Sequence, residues 1–250
     1  MMQPYMAEAV GTMLLVLLGD GVVANVLLAR SKGENGGWIV VTTGWGLAVA
    51  LAVYAVGRIS GAHINPAVTV ALASVGAFPA AQVPLYVAAQ LAGAFAGAVL
   101  VWVAYLPHWR ATIDPDRKLA VFCTAPAVRR LPANFVAELI GTAVLLFGVL
   151  AIAANAQMLT APGQVDLSVV FRHGLQPLLV GLLVWAIGLS LGGPTGYAIN
   201  PARDLGPRLA HALLPIPGKR DADWGYGWIP VVAPLAGGIA GAWLYAAVGF

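Results

Sequence analysis

Residues 60–69 read Ser-Gly-Ala-His-Ile-Asn-Pro-Ala-Val-Thr, and residues 196–204 read Gly-Tyr-Ala-Ile-Asn-Pro-Ala-Arg-Asp. Each holds one Asn-Pro-Ala: Asn65-Pro66-Ala67 and Asn200-Pro201-Ala202. Asparagine is a good helix N-cap, and proline is tolerated at the first helical position. Each motif therefore reads as the start of a helix, with an extended stretch leading into it. The apolar segments that follow give half-helices over 66–75 and 201–212, too short to cross a bilayer. One copy would fit an ordinary loop and a surface helix. Two matching copies point to half-helices buried in a membrane.

Working outward, six longer apolar stretches surround these motifs: 6–29, 38–57, 82–105, 134–155, 173–191 and 228–249. Each meets the roughly 20 residues that a spanning helix needs. The first lacks a basic leader and a clear cleavage site and contains Asp20, so it reads as a retained span. Of 250 residues, 60% are hydrophobic and only 9% charged, against about 25% charged in a soluble domain. This excludes a disordered chain, a disulfide scaffold and an ordinary cytosolic enzyme. The single Cys123 excludes an internal disulfide and a multi-cysteine metal site. A net charge of +3, spread over loops, gives no nucleic-acid footprint.

The chain repeats itself. Ala7-Glu8-Ala9-Val10-Gly11-Thr12 recurs as Ala137-Glu138-Leu139-Ile140-Gly141-Thr142. Ala62-His63-Ile64-Asn65-Pro66-Ala67 recurs as Tyr197-Ala198-Ile199-Asn200-Pro201-Ala202. Leu91-Ala92-Gly93-Ala94-Phe95-Ala96-Gly97-Ala98 recurs as Leu235-Ala236-Gly237-Gly238-Ile239-Ala240-Gly241-Ala242. This divides a single domain into a first repeat over 1–106, a connecting loop over 107–133 and a second repeat over 134–250. Three spans per repeat is an odd number, so the second unit starts on the opposite side of the bilayer. The expected fold is an all-α membrane protein with six transmembrane helices and two re-entrant half-helices in an inverted repeat.

Irregular backbone at membrane depth survives only when buried in protein or lining a wet cavity. Two helix N-termini facing one point also create a positive field that opposes cations and protons. Each asparagine amide can donate to a passing oxygen. The physics is that of a narrow pore for small neutral hydrogen-bonding molecules.

With both motifs and the repeat in view, the chain resembles the major intrinsic proteins, the aquaporins and glycerol facilitators, over nearly its whole length. The resemblance implies an aquaporin-like channel with Asn65 and Asn200 as pore asparagines. It implies a filter on the outer side, made by Trp45, Gly188, Tyr197 and Arg203. Gly44-Trp45-Gly46-Leu47 and Asp204 after Arg203 match the glycerol-conducting branch. There a glycine at 188 leaves space beside an aromatic corner of Trp45 and Tyr197. Tyr197 departs from the phenylalanine common at its position. The backbone carbonyls of Gly61, Ala62, His63, Gly196 and Ala198 are expected to line the pore. Glu8, Glu138, Pro66, Pro201 and Asp204 are expected to support the half-helices. The family also implies a homotetramer with one pore per subunit.

The expected function is passive passage of glycerol, other small neutral solutes and water, excluding ions and protons. The chain is not expected to be an enzyme, nor to use a cofactor, metal or nucleic acid. The bilayer and the solutes are its partners, and the short termini suit a bacterial cell membrane. The alternatives are a water-selective pore, a channel for lactic acid or hydrogen peroxide, a closed structural protein, and a proton-coupled transporter using Glu8 and Glu138. The paired Gly93 and Gly97, and Gly237 and Gly241, read as helix packing. Asp20 has no partner in the second repeat, and the simple expectation is that it snorkels to the interface. Under the family topology the inner loops hold only Arg58 and Arg172, while most cations, including those of the basic 107–133 segment, lie outside. That arrangement conflicts with the positive-inside rule.

Overall fold

The computed structural model describes residues 2–159 and 166–249. Residues 1, 160–165 and 250, which the sequence assigns to the two repeats, lie outside the described residues. Six helices are long and apolar enough to cross a membrane: α1 (Gln3–Leu27), α2 (Trp38–Ser60), α4 (Ala80–Ala104), α7 (Leu131–Ala154), α8 (Ser168–Leu191) and α10 (Trp224–Val248). The half-helices are α3 (Pro66–Ser74) and α9 (Pro201–Leu213). No strand occurs among the described residues.

Two sequence boundaries move. The fifth span, expected from 173, starts at Ser168 and passes through a π-helical turn over Phe171–Leu175. Its polar Arg172 and His173 hide that turn from a hydropathy reading. The stretch 107–133 is not a plain loop. It carries α5 (Leu106–Ala111) and α6 (Pro115–Phe122). Asp114 caps α6, accepting from the Asp116 and Arg117 amides, and helices of six and eight residues are too short to show a repeating apolar period.

Part of the basic character of that segment is answered locally. Arg129 pairs with Asp223 and Arg220 with Asp116. The Lys118 ammonium donates to the Pro217 carbonyl. Burial lowers its pKa, and Asp114 opposes that shift. Lys219 donates to the carbonyls of His211, Ala212 and Leu214, closing the C-terminal end of α9, where a cation suits the helix dipole.

The halves interlock. α1 packs against α4, and α7 against α10, as matching pairs. Then α3 of the first half packs on α10 of the second, and α9 packs on α4. Glycines permit each approach. A β-carbon at Gly93 or Gly237 would overlap the carbonyl of Ala9 or Leu139. One at Gly206 would lie 2.6 Å from the Ala94 β-carbon. In lipid, helices associate through such close backbone contact, because tails are as apolar as leucine. Gly237→Val is expected to destabilise the protein by about 3 kcal/mol, the upper end of ordinary overpacking costs. Thermal unfolding in detergent checks this. Gly225→Ala, where nothing lies within 4 Å, is the control.

Candidate functional site

The two loops before α3 and α9 are built alike. Backbone φ is positive at Gly61 (84°), Ala62 (49°) and Ile64 (43°), and at Gly196 (82°), Tyr197 (40°) and Ile199 (43°). The left-handed region is unfavourable for any side chain and most for a β-branched one. Something must hold Ile64 and Ile199 there. In each loop it is a buried carboxylate.

Glu8 Oε2 accepts from the Ile64 amide (2.7 Å) and Gln90 Nε2 (2.8 Å). Its Oε1 accepts from the His63 amide (3.0 Å) and Ser60 Oγ (2.6 Å). Glu138 accepts from the Ala198 and Ile199 amides, both at 2.9 Å. Both acids are essentially inaccessible. Gln90, a partner from α4, carries no local signal in sequence.

Asn65 caps α3, its side-chain oxygen accepting from the Ala67 amide at 2.8 Å. Asn200 caps α9, accepting from Ala202 (3.0 Å) and Arg203 (3.3 Å). Pro66 and Pro201 open the two helices. The caps then cross: Asn65 Nδ2 donates to the Ile199 carbonyl (2.9 Å), and Asn200 Nδ2 donates to the Ile64 carbonyl (2.8 Å). A side-chain amide has two N–H donors, so each keeps one beyond its cross-link.

A cavity of about 230 Å³ runs past both asparagines. Much of its lining is drawn from three helices at four-residue spacing: Trp45, Val49 and Val53; Leu145, Val149 and Ala153; and Gln176, Val180 and Val184. That spacing puts each set on one helix face. The loops contribute Gly61, Ala62, His63 and Ala198, together with Asn65, Asn200 and Arg203. Gly196 faces a second cavity at the Arg203 end instead, with Trp45, Tyr197 and Arg203 shared between the two. The opposite mouth is flanked by Arg58, Arg172 and His173.

Arg203 lies 4.1 Å above the Trp45 ring centroid. Gly188 lies behind the Tyr197 ring. A β-carbon there would come within 2.7 Å of Tyr197 Cζ. The space that glycine leaves is therefore filled by the tyrosine ring rather than left open. Trp38, absent from the sequence reading, fixes this corner. Its indole N–H donates to the Gly188 carbonyl (3.0 Å), and its ring meets Tyr197 edge-on. Asp204 does not pair with its neighbour Arg203. It accepts from Arg208 Nε (2.7 Å) and from the Thr124 amide (2.8 Å) and hydroxyl (2.7 Å). The His63 ring contacts Thr69, Phe78 and Tyr86, and no group of metal-ligating side chains occurs among the described residues.

Comparison with known proteins agrees with this architecture. Residues 1–245 match the family description "Major intrinsic protein". The chain is 65% identical over 244 residues to a probable glycerol uptake facilitator protein of Thermotoga maritima, covering 98% of both. It is 55% identical to the glycerol uptake facilitator protein of Bacillus subtilis, covering 98% of this chain and 84% of that one. Among solved structures, the aquaglyceroporin of Plasmodium falciparum superposes with a TM-score of 0.82 at 31% identity, over 97% of this chain and 94% of that chain. A six-span membrane protein with two half-helices and this sequence belongs to the major intrinsic protein family.

Proposed function

We propose that this protein is a passive channel for glycerol and other small neutral solutes, with water, and that it excludes ions and protons. The observation that carries the reading is the mixed lining of the cavity, apolar helix faces together with polar loop and asparagine groups, which includes the stacked Arg203 and Trp45. A polyol has a carbon edge and a hydroxyl edge. The apolar stripes suit the first. The free N–H groups of Asn65 and Asn200, the loop carbonyls and Arg203 can exchange hydrogen bonds with the second. The names of the relatives at 65% and 55% identity support the choice of glycerol.

In this reading Asn65 and Asn200 are the pore asparagines. Trp45, Tyr197 and Arg203 form the filter, with Gly188 giving the tyrosine ring its room. The carbonyls of Gly61, Ala62, His63, Gly196 and Ala198 line the path. Glu8, Glu138, Pro66, Pro201 and Asp204 hold the half-helices. Ion exclusion follows from two half-helix N-termini and a guanidinium acting on one narrow passage. The proposal extends to a homotetramer with a pore in each subunit, which native mass measurement tests.

Stopped-flow light scattering on proteoliposomes tests conduction. Expected is fast re-swelling in a glycerol gradient, relative to empty liposomes, with no response to a pH gradient. Water flux without glycerol flux would favour the water-selective alternative. A pH-driven flux would favour the transporter. Arg203→Ala is expected to loosen discrimination between polyols and charged solutes. Unchanged discrimination would remove Arg203 from the filter.

A further inference from the structure

The mouth opposite Arg203 holds a cavity of about 280 Å³, lined by Tyr54, Gly57 and Arg58 of α2 and by Arg172, His173 and Gln176 of α8. Val53, Gly61 and Gln176 line both this cavity and the pore, so the two spaces meet. Under the family topology Arg58 and Arg172 are the only side-chain cations of the inner loops other than histidine, and both line this one cavity. The positive-inside bias asks for cations on this side of the membrane. It does not ask for both of them at one pore end.

Local structure accounts for one of the two. Arg58 lies in the last turn of α2, where the helix dipole favours a cation. Arg172 and His173 lie near the start of α8, where the dipole gives no reason for one. The π-helical turn over Phe171–Leu175 carries them there, and such turns are frequent at functional sites. The Tyr54 hydroxyl donates to the Gly174 carbonyl of that turn (2.6 Å). Tyr54 stands one helical turn before Arg58, so this bond holds the two arginine-bearing segments side by side. Neither guanidinium forms an ion pair or side-chain hydrogen bond with a described residue. Asp166, the acid nearest in sequence, is exposed and accepts from the Ser168 amide (2.8 Å). Its carboxyl is held below the usual range by Ser168 first and by Arg172 least. The cavity thus presents two guanidinium forks and an imidazole, with no acid among its lining residues.

We infer that this cavity binds a small phosphate-bearing polyol, its phosphate held by Arg58 and Arg172 and its hydroxyl end turned toward Gln176 and the pore. The planar arginine fork matches phosphate oxygens two at a time. A ligand seated there stands across the solute path, because three residues line both spaces. Its binding therefore lowers solute flux, a consequence that rests on the channel reading above. The phosphate can be carried by a soluble polyol ester or by a lipid headgroup, and the test separates the two.

Glycerol re-swelling is measured on phosphatidylcholine proteoliposomes with racemic glycerol 1-phosphate equally on both sides, against sodium chloride of equal ionic strength. The ester is expected to lower flux in a saturable way. Arg58→Gln and Arg172→Gln are each expected to raise the half-inhibiting concentration about tenfold, the loss of one charge-assisted contact. The double variant is expected to escape inhibition, and Arg110→Gln, which lines a different cavity, to behave as wild type. Both arginines at the mouth are exposed, so thermal unfolding in detergent should match wild type, and if one variant does not fold the other decides. In a second arm phosphatidylglycerol replaces part of the phosphatidylcholine and no ester is added. Flux lowered there in wild type but not in the double variant, with no response to the soluble ester, assigns the phosphate to lipid. No response to ester or lipid overturns the inference, as does an equal response in wild type and the double variant. A protein that passes no glycerol without either one overturns the channel reading instead. Titration calorimetry of the ester into detergent-solubilised wild type and double variant then decides the site, equal heats in the two overturning it.

Discussion

Asp204→Ala is expected to destabilise the protein by about 3–5 kcal/mol, the usual consequence of removing one member of a buried ion pair. The reason lies in Arg208, which has no exposed surface. Its Nε and Nη2 donate to Asp204, Nη2 also to the Thr124 carbonyl, and Nη1 to the carbonyls of Ala222 and Asp223. All five guanidinium donors are thereby placed. Without Asp204, a full positive charge stays buried with only carbonyl dipoles around it. The Thr124 amide and hydroxyl also lose their acceptor. Asp204→Asn keeps one acceptor oxygen but not the charge, and should fall between. Thermal unfolding in detergent reads both variants. An Asp204→Ala protein as stable as wild type would show that α9 is held from elsewhere.

The second large effect is expected at Glu138. Alanine there strands the Ala198 and Ile199 amides at membrane depth, and each unsatisfied buried donor costs about 1–3 kcal/mol. Ile199 then has nothing to keep it left-handed at φ 43°, a strain of about 1–3 kcal/mol. The loop should relax, Asn200 should leave its cross-link to Ile64, and both stability and glycerol flux should fall together. Glu138→Gln separates this role from proton carriage. It retains an acceptor but presents an N–H pair to an amide that is itself a donor, so it should be partly destabilised. A proton carrier would instead keep its fold and lose only a pH-driven flux.

Much of the fold was legible because the bilayer restricts what a span can be. Hydrophobic runs located six helices, and the paired Asn-Pro-Ala segments located α3 and α9 because cap and proline are local signals. Glu8 and Glu138 stood out because an acid inside a span has to be explained. What the sequence could not show was who meets whom across long separations. Arg208 and Thr124, on different elements, converge on Asp204. Gln90 reaches Glu8 from α4, and Trp38 reaches Gly188 from α2. None of these pairings has a sequence period. Asp20 was misread for the same reason: snorkelling is the default for an acid in a span, and its full burial shows only in the folded chain.

The tight contact between Gly188 and Tyr197 also limits how such a pore can diversify. The two positions share one volume, and the atom that would be added at one lies where the ring of the other already is. A larger residue at 188 is therefore compatible only with a smaller one at 197, and the two should covary among homologous pores. Scanning either position alone would make the corner look intolerant, while paired replacement would recover a set of filters that differ in bore but keep the same backbone.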